Sequence, residues 1–198
     1  MSLDKDDVVM RVVNVLDNLG IAYFIGGSFA SSLYGMMRTT NDADVVAGLT
    51  QEHVLAFLEA LASEFYVEER SIRRAVESGR HFNLIHGETQ FKVDVFTPRP
   101  KAFVSSELER REQHQFGSNH TAYFASAEDT VLAKLEWYRL GNEVSDRQWR
   151  DITEVLKVQR GRLDLEYLKH WAEALSVSDL LDEALEEADS LFAPPKHQ

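Results

Sequence analysis

The fold is decided by residues 21–46, which read IAYFIGGSFASSLYGMMRTTNDADVV. The apolar, partly β-branched run at 21–25 predicts a short strand, and the glycine turn after it predicts the start of a helix over 29–37. Residues 43–47 then predict a second strand. A strand, a glycine turn, a helix and another strand in this order indicate a protein of mixed α and β structure.

Periodic patterns on either side extend this scaffold. Apolar residues at helical spacing predict helices over 4–19 and 50–62, and Thr50 is the expected cap of the second. Alternating segments predict further strands in two hairpin-like pairs, 81–86 with 90–96 and 111–116 with 121–125. The sheet should therefore have about four to six strands.

From Ser126 onward the pattern is helical throughout. Ser126 opens a capping-box-like start, and Asp164 is the expected cap of a third helix in this region. We predict an α/β (α+β) protein: a mixed sheet flanked by helices in residues 1–125, and a C-terminal helical bundle in residues 126–198. Positions consistent with the core of that bundle include Trp137, Trp149 and Trp171.

Composition excludes several classes of protein. The chain has 198 residues and no cysteine, which excludes disulfides, thiolate zinc sites and cysteine nucleophiles. It has no apolar run of about 18 to 20 residues and its first residues are acidic, so we expect a cytoplasmic protein without a membrane partner. A net charge of −12 disfavours binding to long nucleic acids.

Three aspartates are candidate ligands for a metal ion. Asp42 and Asp44 lie two residues apart on a predicted strand and should share one face of it. Asp94 lies on a later strand, whose neighbours at 93 and 95 fill the opposite face. Close carboxylates repel each other unless a cation separates them, and hard oxygen ligands suit Mg²⁺. If the two strands are neighbours, the three carboxylates can hold two ions.

The Gly26-Gly27-Ser28 turn is a candidate phosphate site. At the start of a helix it offers backbone N–H groups and a hydroxyl, and glycine lets a phosphate approach closely. Each feature also has a simpler interpretation: Gly-Gly-Ser is often only a turn, and an aspartate on a strand is often only a solvated surface residue. The combination in this order favours a functional site.

These residues resemble the signature of the polymerase β-like nucleotidyltransferase superfamily. Ile25-Gly26-Gly27-Ser28 and Asp42-Ala43-Asp44-Val45 match it, with Ala43 a weak version of the hydrophobic position. The resemblance covers roughly residues 8 to 96. Within the superfamily, the stretch around these motifs is most similar to bacterial uncharacterised nucleotidyltransferases related to the abortive-infection AbiEii type. Residues 133–136 and 146–151 occupy the places of that group's lysine-bearing helix and Asp-containing segment.

The resemblance implies an enzyme that moves a nucleoside monophosphate from an NTP to an acceptor hydroxyl and releases pyrophosphate. The implied metal ligands and catalytic residues are Asp42, Asp44 and Asp94, with two Mg²⁺ ions as cofactor and Asp94 as the base. The implied nucleotide-binding residues are Gly26, Gly27, Ser28, Arg38 and Lys134. For Arg38 the alternative is an ion pair with an acid, and for Lys134 a solvated helix position; Asp151 is a candidate to orient Lys134.

The acceptor remains open between a small molecule, an RNA or tRNA end and a protein hydroxyl. A tRNA end would need only a local basic strip, for which the candidates are Arg70, Arg73, Arg74 and Arg80. The simpler interpretation of these arginines, a solvated helix face, is the one that we favour. The alternative function is a non-catalytic regulatory or antitoxin protein that keeps nucleotide binding. The sequence does not indicate an oligomeric state.

Overall fold

The computed structural model describes residues 4–117 and 120–190, and within these ranges the chain forms nine α-helices and one seven-stranded sheet. The strands are β1 (Tyr23–Ile25), β2 (Asp42–Ala47), β3 (Phe65–Tyr66), β4 (His81–His86), β5 (Lys92–Phe96), β6 (Glu112–Phe116) and β7 (His120–Phe124). The helices are α1 (Lys5–Asn18), α2 (Gly27–Tyr34), α3 (Val54–Leu61), α4 (Glu69–Ser78), α5 (Ala102–Arg110), α6 (Ala127–Leu140), α7 (Asp146–Val158), α8 (Leu165–Ala174) and α9 (Ser178–Ser190).

The chain divides into two compact units. Unit 1 comprises Met1–Phe29 and Thr39–Ala125, and unit 2 comprises Ala30–Arg38 and Ser126–Gln198. Helix α2 begins in unit 1, and its residues from Ala30 onward belong to unit 2. The glycine turn and all three candidate aspartates are therefore in unit 1.

The sheet of unit 1 is mixed, with strand order β3-β4-β5-β2-β1-β7-β6. Strand β2 is antiparallel to β1 and parallel to β5, while β4 and β5 form the predicted hairpin. Alternation gives the central strands one apolar face, since Val45, Val93 and Val95 are fully buried. Helix α4 packs against β4, and α1, α3 and α4 contact one another in succession. This architecture confirms the predicted fold class.

The strand count exceeds the prediction of four to six, because the sequence analysis missed β3. That strand has two residues and pairs with the end of β4. Helix α5 was also not predicted. Thr50 does not cap the helix predicted over 50–62. Helix α3 begins only at Val54, after a turn, and its N-cap His53 makes no side-chain capping hydrogen bond.

Unit 2 is built around the four helices α6 to α9. Helix α7 packs against α6 and α9, and α8 packs against the same two helices. Two predicted caps are confirmed: Ser126 Oγ accepts a hydrogen bond from the Asp129 N–H at 3.1 Å, and an Asp164 carboxylate oxygen accepts one from the Tyr167 N–H at 3.0 Å.

The prediction that the three tryptophans occupy the core of this bundle is wrong. Trp137 is 53% exposed, and Trp149 and Trp171 are only half-buried. Trp149 stacks obliquely on Tyr138 and donates its indole N–H to Glu187. Smaller residues such as Leu132, Ile152 and Leu181 form the core instead. Among the described residues, no helix is long and apolar enough to cross a membrane.

Candidate active site

The glycine turn lies directly against Asp44. The Gly26 N–H donates to the carbonyl oxygen of Asp44 at 2.9 Å, which continues the pairing of β1 with β2. Gly27 opens α2 with φ of +55°, a left-handed value that side-chain-bearing residues rarely adopt. A Cβ atom at Gly27 would lie 2.7 Å from Asp44 Cγ and would overlap the carboxylate. Glycine is therefore required here by both backbone conformation and space.

The pairing of β2 with β5 brings the aspartates together. These neighbouring parallel strands place Asp44 opposite Asp94 and Asp42 opposite Lys92. The metal site predicted from the sequence requires these two strands to be adjacent, and they are. Side chains at directly paired positions of neighbouring strands project to the same side of the sheet. Asp42, Asp44 and Asp94 thus share one face, next to the glycine turn.

The carboxylates of Asp42 and Asp94 differ in their surroundings. The Asp94 side chain is 12% exposed, whereas the Asp42 side chain is 46% exposed. Asp42 Oδ1 accepts a hydrogen bond from the Thr40 hydroxyl at 3.0 Å. Asp94 Oδ1 is buried and has no hydrogen-bond partner. A buried carboxylate oxygen without a partner is unfavourable unless a cation or a proton reaches it.

The sequence analysis missed Lys92, whose ammonium group contacts two of these carboxylates. Lys92 Nζ is 2.7 Å from Asp94 Oδ2 and 3.9 Å from Asp42 Oδ2. The hydrogen bond to Asp94 raises the pKa of Lys92, against a smaller opposing effect of burial. Its position two residues before Asp94, on the same strand face, is the sequence signal that could have identified it.

The donor set fits a hard divalent cation, although the described residues hold no group of three or more His, Asp or Glu side chains already arranged around one position. Carboxylate oxygens are the ligands that Mg²⁺ prefers. Asp44 and Asp94 lie opposite each other, and Asp94 presents an oxygen with no hydrogen-bond partner. Lys92 already supplies one positive charge where the carboxylates approach each other.

A second charged cluster lies in unit 2 and contains both predicted phosphate-binding cations. Arg38 donates from Nε and Nη2 to the two carboxylate oxygens of Asp151, at 3.0 and 2.9 Å. Lys134 Nζ donates to Asp151 Oδ2 at 2.9 Å. Lys134 is buried, so the alternative of a solvated helix position is wrong, while the alternative of an ion pair for Arg38 is confirmed.

Two cations share the carboxylate of Asp151. Burial alone would raise the pKa of Asp151, but the hydrogen bond from Arg38 and the charge and hydrogen bond of Lys134 outweigh it and lower that pKa. Asp151 therefore stays ionised and keeps the two cations together. The pairing joins residues 113 positions apart in the sequence, so no local pattern could have revealed it.

The arginines of the candidate basic strip behave as surface residues. Arg73 pairs with Glu69 one helical turn earlier on α4, and Arg70, Arg74 and Arg80 are exposed. Arg70, Arg73 and Arg74 lie on a solvated face of α4, and Arg80 follows the end of that helix.

Comparison with solved structures identifies the fold. The chain resembles an antigenic nucleotidyltransferase-like protein from Paracoccidioides brasiliensis, with a TM-score of 0.52, 18% identity and coverage of 94% of both chains. It also resembles ANT(2")-Ia in complex with adenylyl-2"-tobramycin, with a TM-score of 0.53, 12% identity, and coverage of 96% of this chain and 99% of that one. No protein-family model and no curated protein sequence matches the chain. The fold is therefore nucleotidyltransferase-like.

Proposed function

We propose that this protein is a Mg²⁺-dependent nucleotidyltransferase, which moves a nucleoside monophosphate from an NTP to an acceptor hydroxyl and releases pyrophosphate. One observation carries the proposal: Asp44 and Asp94 lie opposite each other on neighbouring strands, and Asp44 lies against the Gly27 turn. The nucleotidyltransferase-like fold supports it independently. The simpler interpretations, an ordinary turn and solvated surface aspartates, do not require the turn and the two carboxylates to lie together.

Asp42, Asp44 and Asp94 are the proposed ligands of two Mg²⁺ ions. When bound there, Mg²⁺ would offset the carboxylate charges, polarise the α-phosphate and stabilise the leaving pyrophosphate. The support for this assignment is the donor chemistry, the shared sheet face and the oxygen of Asp94 that lacks a partner. The three aspartates thus form one proposed catalytic group within unit 1.

Asp94 is the proposed general base. The acceptor oxygen attacks the α-phosphorus, the bond from that phosphorus to the bridging oxygen of the β-phosphate breaks, and pyrophosphate leaves. The hydroxyl proton passes to the carboxylate of Asp94. A carboxylate buried to this degree is held in place by its strand, which keeps the acceptor oxygen oriented.

The proposed phosphate-binding residues are those of the glycine turn and of the unit 2 cluster. Gly27 and Ser28 are assigned to the β- and γ-phosphates, since they begin α2, and anions favour a helix N-terminus. Gly26 supports the turn, because its N–H donates to the carbonyl oxygen of Asp44. Arg38 and Lys134 are assigned to phosphate binding as positive charges, as the resemblance implies, and both contact Asp151. Asp151 is then a positioning residue for both cations.

The acceptor is proposed to be a small molecule, an RNA or tRNA end, or a protein hydroxyl, with a small molecule favoured by the net charge of −12. The relationship to the AbiEii-type group is likewise a proposal, supported by the motifs at residues 25–28 and 42–45. Lys134 and Asp151 add to it, because they are in contact as a functional pair would be.

The test is transfer of label from each of the four NTPs, labelled in the α-phosphate, in the presence of Mg²⁺ and acceptor fractions of small molecules, RNA and protein. The variants are Asp44→Asn and Asp94→Asn, which remove one charge with little change in volume. Asp182→Asn is the matched control, since Asp182 is an exposed carboxylate of α9. We expect transfer with the wild type and with the control, and at least a 100-fold loss in the two site variants.

Equal transfer by the site variants would refute the assigned residues. Absence of transfer by the wild type from any NTP to any fraction, with Mg²⁺-NTP binding retained, would refute the enzyme and favour the regulatory alternative. Circular dichroism of each variant separates a lost reaction from a lost fold.

A further inference from the structure

Lys92 is part of the carboxylate face, although nothing in the proposed chemistry uses it. It lies opposite Asp42 in the pairing of β2 with β5 and two residues before Asp94. Its ammonium nitrogen is 2.7 Å from Asp94 Oδ2 and 3.9 Å from Asp42 Oδ2. The lysine therefore bridges the two strands through the carboxylates that are assigned to metal binding.

Like charges lie close together on this face of the sheet. Asp42, Asp44 and Asp94 place three negative charges on adjacent positions of two strands, and such like charges destabilise a sheet. The ammonium group offsets part of this repulsion in the metal-free protein. An ammonium group and a divalent ion cannot occupy the same space beside Asp94 Oδ2, and they repel each other at short distance.

We propose that Lys92 is an internal counter-cation, which holds Asp42 and Asp94 in place until a divalent ion displaces it from Asp94. Lys92 is thus a positioning residue that lowers the affinity of the site for the metal. This inference rests on the proposed function, because it takes the three aspartates as the metal ligands.

Neutralisation of Lys92 should have an effect on metal binding opposite to that of structural damage. A neutral side chain at position 92 removes the competing charge, so divalent ions should bind more tightly, even though the metal-free protein becomes less stable. A residue that merely supported the fold would weaken binding when it is replaced. We expect Lys92→Met to lower the dissociation constant for Mn²⁺ by about tenfold.

The experiment is titration of the full chain with Mn²⁺, followed by the electron paramagnetic resonance signal of the free ion, which needs no turnover. Lys92→Arg keeps the charge and should bind Mn²⁺ about as the wild type does. Lys157→Met is the matched control, because it removes another paired lysine, whose Nζ is 3.0 Å from Glu154. We expect that control to match the wild type as well.

Three outcomes are distinguishable. Tighter binding by Lys92→Met alone supports the inference. Unchanged or weaker binding by a folded Lys92→Met overturns it while leaving the proposed function standing, provided that Asp44→Asn abolishes the wild-type binding. Absence of Mn²⁺ binding in every variant overturns both. If Lys92→Met does not fold, Lys92→Gln replaces it as the neutral variant.

Discussion

Replacement of Gly27 by alanine tests the contact between the glycine turn and Asp44. Gly27 has φ of +55°, and an alanine Cβ would overlap the Asp44 carboxylate. The left-handed conformation costs a non-glycine residue about 1–2 kcal/mol. Displacement of the overlapping side chain adds about 1–3 kcal/mol. We therefore expect Gly27→Ala to destabilise the protein by about 2–5 kcal/mol.

Gly20→Ala is the matched control for this prediction. Gly20 has a similar φ of +68°, but nothing lies within 4 Å of the position of an added Cβ. It should show only the backbone cost, which corresponds to a fall in Tm of about 2–8 °C for a chain of this size. The difference between the two variants isolates the overlap with Asp44.

Thermal denaturation and Mg²⁺-NTP binding by calorimetry provide the measurements. Gly27→Ala should melt below Gly20→Ala and bind Mg²⁺-NTP at least tenfold more weakly than the wild type, because Asp44 must move. Gly20→Ala should bind as the wild type does. Equal melting temperatures together with unchanged nucleotide binding in Gly27→Ala would refute the reasoning.

Two further predictions concern the charged cluster of unit 2. Asp151→Ala should destabilise the protein by about 3 kcal/mol in urea denaturation, because it leaves Arg38 and Lys134 without their shared counter-charge. The control Asp179→Ala should leave stability nearly unchanged, since the pair of Asp179 with Arg139 is exposed. Equal effects of the two substitutions would contradict this prediction. The pKa of Asp151 is lowered in the native protein, so its contribution to stability is complete above its unfolded pKa of about 4 and is lost as the pH falls through the native pKa. Wild type and Asp151→Asn should therefore converge in stability in acid. A constant difference in their free energies of unfolding from pH 6 to pH 2 would contradict this.

The sequence predicted those parts of the fold that local patterns determine. The period of the apolar residues identified α1, and Ser126 and Asp164 identified helix starts by their side-chain chemistry. The alternation around Gly87 identified the hairpin of β4 and β5. A two-residue strand such as β3 has no period to detect, because its only support is the pairing with β4.

The candidate site was predictable where its residues follow one strand or one turn. Strand alternation alone places Asp42 and Asp44 on one face of β2. The sequence Gly26-Gly27-Ser28 predicts the turn. Contacts that depend on tertiary structure could not be predicted from the sequence. The bridge from Lys92 to Asp42 depends on the order of the strands in the sheet, and the ion pair of Arg38 with Asp151 joins residues 113 positions apart. The tryptophans were misassigned because a large amphipathic ring at a helical core position can also lie at the surface.

The central claim is transfer of the α-phosphoryl group together with its nucleoside. It is tested most directly by parallel reactions with an NTP labelled in the α-phosphate and the same NTP labelled in the γ-phosphate, each with an acceptor fraction that supports turnover. The account predicts that the α-label enters the acceptor and the γ-label is released as pyrophosphate, both only when Asp44 and Asp94 are intact. Transfer of the γ-label to the acceptor, or equal reaction by Asp94→Asn, would contradict it.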